Sequence, residues 1–140
     1  MSNWTHVAGI VRIDDIRMDD TIPDFEKIFG KTILFEDIYD ENLYDKETLP
    51  MGSEVSLEMS VVITPMKNSI PSYVVSVYGD LRDHDNPQEI IDWFKEKCRV
   101  IDETFVGVRN ACIVVENEWN GTVNWYYNTD DFYGLEEEVG

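Results

Sequence analysis

The sequence predicts an α+β fold in which an antiparallel sheet carries two helices on one face. Residues 55–63 are apolar at every odd position with mostly polar residues between, which is typical of a half-buried strand. Residues 72–78 are rich in β-branched and aromatic types and follow two prolines, so they predict the antiparallel partner. Capping residues from position 86 onward precede apolar positions at helical spacing. The sheet face and the helix stripe would bury each other.

The first predicted element is a strand over residues 4–13, in which two faces alternate. One face carries Thr5, Val7, Gly9, Val11 and Ile13, and the other carries Trp4, His6, Ala8, Ile10 and Arg12. A Trp, a His and an Arg in one row are unusual on a fully solvated surface. This second face is therefore either a ligand or partner face, or a surface half covered by a loop.

A short helix and a long loop follow in the chain. Thr21 is the predicted N-cap of the helix and Gly30 its C-terminal stop, with Asp24 in the first turn. Residues 32–35 are a candidate short strand. Residues 36–50 are acidic and aromatic without a clean periodicity, which predicts a loop. Loops of this length in compact domains are usually functional or mobile, so this loop is a candidate contact surface.

The second helix is predicted from the residues that follow the strand pair. Asn86 suits the N-cap, Pro87 the first helical position and Glu89 the first turn. Its buried stripe would consist of Ile90, Ile91, Phe94 and Cys98.

The last predicted element is a hairpin over two strands that flank Asn120-Gly121. This dipeptide is typical of a two-residue type I′ turn, which needs positive φ at both central residues. Such a turn would place Glu116 opposite Trp125.

The element order is βαββαβ with an added strand, which predicts a ferredoxin-like arrangement plus a C-terminal hairpin strand. The helices would cover one sheet face. The other face would be free and would bear residues such as His6, Arg12, Glu54, Glu58 and Tyr78. Free faces of this kind often bind something, although a fold alone does not establish function.

Length and composition predict a single domain over residues 1–129, followed by an acidic tail over residues 130–140. Hydrophobic residues make up 43% of the 140 residues, which is ordinary for a folded core. The two cysteines, Cys98 and Cys112, have no metal-ligand spacing and are expected to be packed thiols.

The charge is far from balanced, because 29 Asp and Glu residues face 11 Lys and Arg residues, for a formal net charge of −18. This excess argues against direct binding of nucleic acid or of an anionic membrane, and it favours partners with basic surfaces. The sequence has no secretory signal and no apolar run near 18 residues, which predicts a soluble protein of the cytoplasm.

Catalytic motifs are absent from the sequence: it has no phosphate-binding loop, dinucleotide fingerprint, nucleophile elbow or paired Cys and His cluster. We therefore expect a protein that is not an enzyme and that needs no cofactor. One group leaves an alternative open, because three carboxylates and an imidazole can hold a divalent cation or act as acid and base. Its members are Asp80, Asp83, His84 and Asp85. The competing interpretation is that the acids shape a turn and cap the helix, with His84 in solvent.

The acidic surface has two interpretations, solvated charge without a specific partner or a carboxylate array that imitates phosphates on a basic protein. Candidate contacts with such a partner are Asp37, Tyr39, Asp40, Glu41, Tyr44, Asp45, Glu54 and Glu58. Aromatic residues among the acids would supply interface anchors, and further candidates for that role are Trp119, Trp125, Phe132 and Tyr133.

Three segments carry a resemblance to known proteins, namely residues 4–14 (WTHVAGIVRID), 52–57 (GSEVSL) and 78–83 (YGDLRD). In these the chain resembles a set of small uncharacterised acidic proteins of bacteriophages and prophages of Gram-positive bacteria. That set has no assigned activity, so the resemblance implies a context only, which is a phage accessory factor acting inside a bacterial host cell. Many accessory factors of this kind disable a host nuclease or immune pathway.

The leading expectation is therefore a phage-type inhibitor that binds a basic surface of a host defence protein. The first alternative is a binder that sequesters a nucleotide signal, and its phosphate contacts would be His6, Arg12, Arg82, Arg99 and Arg109. The second is a metal-dependent enzyme that uses the acid and histidine group after residue 79. A homodimer through the free sheet face is an open possibility, since two-fold oligomers are common.

Overall fold

Five strands and two α-helices form within residues 2–15, 22–37, 47–64, 71–105 and 107–128, which the computed structural model describes. In chain order these elements are β1 (Trp4–Asp14), α1 (Phe25–Phe29), β2 (Glu58–Thr64), β3 (Ser72–Arg82), α2 (Pro87–Phe105), β4 (Val108–Asn117) and β5 (Gly121–Asn128). No helix in this part of the chain is long and apolar enough to cross a membrane.

The strands form one antiparallel sheet in the order β2-β3-β1-β4-β5. The α+β class and the antiparallel sheet are therefore confirmed. The strand order as a whole differs from that of a four-stranded ferredoxin-like sheet, because β5 continues the sheet beyond β4. The ferredoxin-like topology stays a prediction.

The core lies between the helices and the odd-numbered face of β1. Val7, Val11 and Ile13 are buried there, so the predicted alternation of strand one is confirmed. Helix α1 covers one side of this face, where the Phe25 ring meets Tyr73 with centroids 5.5 Å apart. Helix α2 covers the other side, where Phe94 packs edge-on against Trp125 at 6.1 Å.

The region of the first helix differs from the prediction in two respects. Asp24 is the N-cap of α1, and its carboxylate accepts a hydrogen bond from the Lys27 amide at 3.1 Å, whereas Thr21 lies outside the described residues. The candidate strand at residues 32–35 does not form. Its end instead enters a 3₁₀ turn over Phe35–Asp37, because the Asp37 side chain accepts from the Leu34 amide at 3.0 Å and stabilises the turn.

The alternating segment 55–63 is a strand only from Glu58 onward. The residues before it fold back, since the Leu57 amide donates to Pro50 at 2.9 Å and the Ser56 amide donates to Ile33 at 3.0 Å. Gly52 permits this path, because a Cβ there would lie 2.7 Å from the backbone nitrogen and oxygen of Arg82. The alternating pattern of residues 55–63 therefore includes residues 55–57, which bond to loop residues and are not part of the sheet.

The hairpin register also corrects the prediction. Glu116 lies opposite Thr122, not Trp125, because the connection contains three residues rather than two. The Asn117 side-chain oxygen accepts from the amides of Trp119 and Asn120 at 3.0 and 2.8 Å. The turn therefore begins at Asn117, earlier in the chain than the predicted turn at Asn120-Gly121. Gly121, with φ of 89°, then occupies the left-handed position that follows a three-residue loop.

The cysteine prediction is half right. Cys98 on α2 is buried, and burial raises the pKa of its thiol well above the ordinary range. Cys112 on β4 is exposed, which contradicts the expected packing, because it points away from the helices. Residues 38–46 of the predicted loop and the tail 130–140 lie outside the described residues.

Candidate binding face of the sheet

The sheet face opposite the helices is called the open face, and its centre is apolar. It is built from the even-numbered positions of β1 and the residues beside them, and in the described part of the chain neither helix packs on it. Its large apolar residues remain exposed, with Ile10 at 46%, Tyr126 at 44%, and Tyr78 and Val114 at 40% each. The interpretation that a loop half covers Ile10 is therefore not supported within the described residues.

The register of the strands places the exposed apolar residues of the open face side by side. Tyr78 and Val114 flank Ala8 on its two sides, and Glu58 lies beyond Tyr78 on the edge strand. In the next row, Ser76 and Cys112 flank Ile10, and Tyr126 lies beyond Cys112. The face is thus a continuous platform of apolar and aromatic groups with a carboxylate at one edge.

One end of the open face concentrates negative charge around a histidine. His6 lies between Asp80 on β3 and Glu116 on β4, and its Nδ1 is 2.6 Å from an Asp80 carboxylate oxygen. The hydrogen bond to Asp80 is the main reason that the pKa of His6 is raised, with the charges of Asp80, Glu118 and Glu116 adding to it and desolvation opposing it. A proton on His6 therefore neutralises part of this acidic end.

We expect the pKa of His6 to lie above the ordinary value near 6.5 and to fall toward it in Asp80→Asn, which removes the largest cause. Because the folded-state pKa is raised, the pair stabilises the fold below the unfolded-state pKa, and this contribution is lost as pH rises through the folded-state value. A proton NMR titration of the His6 ring measures the pKa directly.

Glu58→Gln is the matched control for this titration, since Glu58 lies on the same face but is not among the groups that shift His6. We expect it to leave the pKa of His6 nearly unchanged. An equal shift in both variants would mean that the general negative field, rather than the Asp80 contact, holds the proton.

The predicted acid and histidine group consists of Asp80, Asp83, His84 and Asp85, and its described hydrogen bonds go to separate residues. Asp80 bonds His6, the Asp83 carboxylate accepts from the Asn3 amide at 3.3 Å, and the Asp85 carbonyl accepts from the Asn120 side chain at 2.9 Å. Asp83 adopts a positive φ of 60°, as expected of a turn residue. No group of three or more His, Cys, Asp or Glu within the described ranges can hold a metal ion.

The five basic residues of the nucleotide-binding alternative do not converge. His6 and Arg82 lie at one end of the sheet, where Arg82 bonds Glu54 at 3.2 Å. Arg12 lies six residues along β1, about 20 Å away at the usual strand rise, and Arg109 is near it, bonded to Asp14 at 3.2 Å. Arg99 is on α2, on the other side of the sheet, and pairs with Glu96.

The predicted partner contacts are divided among three places in the described residues and the part of the chain that is not described. Glu58 is exposed beside the open face, and Glu54 bonds Arg82 at the end of β3. Asp37 lies in the 3₁₀ turn. The remaining contacts, Tyr39, Asp40, Glu41, Tyr44 and Asp45, lie outside the described residues, as do Phe132 and Tyr133.

Two tryptophans proposed as anchors have opposite environments. Trp119 is 64% exposed in the hairpin turn, so it is free to contact a partner. Trp125 is buried against Phe94, with the Lys95 ammonium 6.0 Å from its ring centre, and it belongs to the core. The sequence prediction for Trp125 was wrong because the observed hairpin register differs from the predicted one, which placed Trp125 opposite Glu116.

Sequence reasoning missed the apolar centre of the open face. A signal for it was present, since residues 111–115 of β4 are apolar without interruption, and a strand that is apolar on both faces has something to pack on each side. Ala8 and Ile10 gave the same signal on β1.

A scan against protein-family models found no match to the chain. Searches of the curated proteins and of the solved structures also returned no match.

Proposed function

We propose that this protein is an accessory binding protein of the phage type, which inhibits a host defence protein by docking the open face of its sheet onto a basic surface of that partner. The observation that carries the proposal is the open face itself, an exposed apolar platform with Glu58 at one edge and the acidic group around His6 at one end. Proteins rarely expose a contiguous apolar patch of this kind unless it binds something.

Charge complementarity supports a basic partner. Three of the described cations on or beside the open face are paired with carboxylates, since His6 pairs with Asp80, Arg82 with Glu54, and Arg109 with Asp14. A fourth, Arg12, bonds the Ser72 hydroxyl at 3.5 Å. The chain as a whole has a formal net charge of −18, so its overall field is negative. Such a field speeds association with a basic surface, including one that ordinarily binds nucleic acid, and makes it sensitive to salt.

The dimensions of the face also suit a protein partner. Five strands spaced about 4.8 Å apart give a width of about 20 Å, and seven to eleven residues at about 3.3 Å each give a length near 30 Å. The resulting area of roughly 600 Å² is close to the 800 Å² or so that one partner contributes to an interface of standard size. Tyr78 and Tyr126 supply aromatic groups near its centre, as hot spots do.

We further propose that the first four strands follow the ferredoxin-like arrangement, with β5 as an addition. The support is that β1 lies between β3 and β4, that β2 lies outside β3, and that α2 separates β3 from β4 in the chain. This arrangement leaves one sheet face without helices, as the binding proposal requires.

The test is affinity capture from a bacterial lysate at about 50 mM and about 500 mM salt, because exposed charge pairs are screened at the higher value. Three proteins are compared, namely the wild type, a face variant and a matched control. The face variant is Glu58→Gln/Asp80→Asn/Glu116→Gln. The control is Glu26→Gln/Glu36→Gln/Glu103→Gln, which makes the same change in charge at exposed positions outside the sheet.

We expect the wild type and the control to retain a nucleic-acid-binding or defence protein at low salt and to lose it at high salt. The amount of this protein that the face variant retains should be lower by a factor of about ten or more, since close charge pairs across interfaces contribute about 1.5 kcal/mol or more. Equal losses in the two variants would exclude the open face as the interface. A nucleotide released by heating, with no protein captured, would favour the ligand-sequestering alternative instead.

A further inference from the structure

Strand β2 is an edge of the sheet whose apolar side chains are exposed on both faces. Within the described ranges it pairs with β3 and with no other strand. Val61 and Ile63 lie on the helix side and are 37% and 45% exposed, and Val62 on the open face is 59% exposed. The helix layer leaves this edge exposed, since Phe25 of α1 meets Tyr73 on β3, whose partner in the register is Ile63.

β2 lacks the devices that ordinarily protect an edge strand. Natural edges carry charged residues, prolines or bulges, or are covered by a helix or loop. In β2 the register with β3 runs without a shift, no proline occurs, and the single charge is Glu58 at its first residue. The helix side of β5, the other edge, is covered where Trp125 packs on Phe94 of α2. β2 is therefore the edge that presents an accessible template for another strand.

We propose that β2 is a self-association edge, which pairs antiparallel with β2 of a second copy of this chain in a closed two-fold dimer. Residues opposite each other in a β ladder point to the same face, so the two-fold axis is perpendicular to the sheet. The two sheets then continue into each other, with their open faces side by side. The contact uses the edge and not the open face, so it does not rest on the proposed function of that face.

β2 is complementary to itself in the register that places Val61 opposite its own copy. This register pairs all seven residues of the strand. It places Met59 opposite Ile63 on the helix side and Glu58 opposite Thr64 at the ends. Directly opposite side chains lie about 4.5–5.5 Å apart, so the apolar residues of the two copies form one row. A register centred one residue to either side leaves two residues of each strand unpaired.

A second copy fits this edge despite its formal net charge of −18, because residues 59–64 carry no charge. In the proposed register the two Glu58 residues lie six positions apart, about 20 Å along the strands, which is about twice the Debye length at 0.1 M salt. The other carboxylates of the two copies still repel one another. Salt should therefore strengthen the dimer, whereas it should weaken the binding of a basic host protein, so the two proposals can fail independently.

The test is sedimentation equilibrium of the full chain between about 5 and about 500 μM protein, at about 50 mM and about 500 mM salt. We expect a monomer–dimer equilibrium with a dissociation constant of about 100 μM at the higher salt, because a contact about 23 Å long is smaller than a standard interface. At the lower salt the dimer should be several-fold weaker. A chain that stays monomeric throughout, or that grows beyond a dimer, would overturn the proposal, since a two-fold contact closes.

Val61→Lys should weaken the dimer by a factor of about ten or more, because it removes an apolar contact and places two ammonium groups opposite each other. The change makes the chain less negative, so the general field acts in the other direction. Val61→Glu should weaken the dimer as well. An equimolar mixture of the two variants should associate about as well as the wild type, because opposite charges then face each other across the axis.

The matched controls are Val114→Lys and Val114→Glu, which make the same changes on the open face at a position that is 40% exposed. We expect each to leave the dissociation constant of the dimer within about twofold, and circular dichroism checks that every variant is folded. A dimer that survives Val61→Lys but not Val114→Lys would assign the contact to the open face and overturn the proposal. A mixture of the two Val61 variants that stays monomeric would also overturn it. The wild-type series needs no variant, so it tests the proposal even if Val61→Lys fails to fold.

Discussion

Replacing Phe94 by alanine should lower the free energy of unfolding by about 3–5 kcal/mol, as Phe-to-Ala changes in cores do. Phe94 is fully buried between the helix layer and the sheet, where its ring meets Trp125 at 6.1 Å and Trp93 at 6.3 Å. Alanine would leave a cavity at the contact that joins α2 to β5. Because domains are stable by only about 5–15 kcal/mol, this is a large share of the total. Chemical denaturation followed by tryptophan fluorescence measures the loss.

Phe35→Ala is the control for this experiment, because it removes the same side chain from a position that is 62% exposed. We expect it to change the free energy of unfolding by about 0.5 kcal/mol or less. A comparable loss in both variants would contradict the assignment of Phe94 to the centre of the core.

Asn117→Ala is expected to cost about 2–4 kcal/mol, because one buried side chain serves three structural elements. Its amide nitrogen donates to the Thr5 hydroxyl at 2.8 Å and to the His84 carbonyl at 3.2 Å, while its oxygen closes the turn to β5. Alanine would leave the Trp119 and Asn120 amides without their acceptor, while the Thr5 hydroxyl and the His84 carbonyl would still bond each other. A part-buried group left unpaired costs about 1–3 kcal/mol. Thermal unfolding and denaturant titration give the size of the loss.

The matched control is Asn124→Ala on β5, where the asparagine is exposed. We expect this change to cost less than about 0.5 kcal/mol. If Asn117→Ala were equally mild, the hydrogen bonds to Thr5 and His84 would make no net contribution to the free energy of unfolding. The hairpin would then be set by Asn120 and Gly121 alone.

The sequence predicted the sheet and both helices because each has a signal that is local in the chain. Alternation in residues 4–13 assigned the buried face of β1 correctly, and Asn86 with Pro87 marked the beginning of α2. The hairpin register failed for the opposite reason. Asn120-Gly121 favours a two-residue turn by itself, whereas the observed turn is set by Asn117, whose other bonds reach residues distant in the chain. Tertiary contacts of this kind leave no local pattern.

The candidate sites divide in the same way. Glu58, His6 and Tyr78 were placed on the free sheet face from alternation alone, and they lie there. The contact between the 47–57 segment and the end of β3, where the Ser53 amide donates to Arg82 at 2.8 Å, could not be predicted, since the two segments are distant in the chain. Only the folded chain brings them together, because Gly52 lets the 47–57 segment approach the end of β3 closely.

The central position of β1 has a consequence for how the chain folds during synthesis. This strand is the first in chain order, yet its neighbour Asn117 follows Thr5 by 112 positions. At about 5–20 residues per second, roughly 6–22 s separate the synthesis of the two. Contacts so distant in sequence slow folding, and for that interval a β-rich segment has an unpaired edge open to aggregation. The formal net charge of −18 opposes association between such partly made chains, and this effect is separate from any contact that the open face makes.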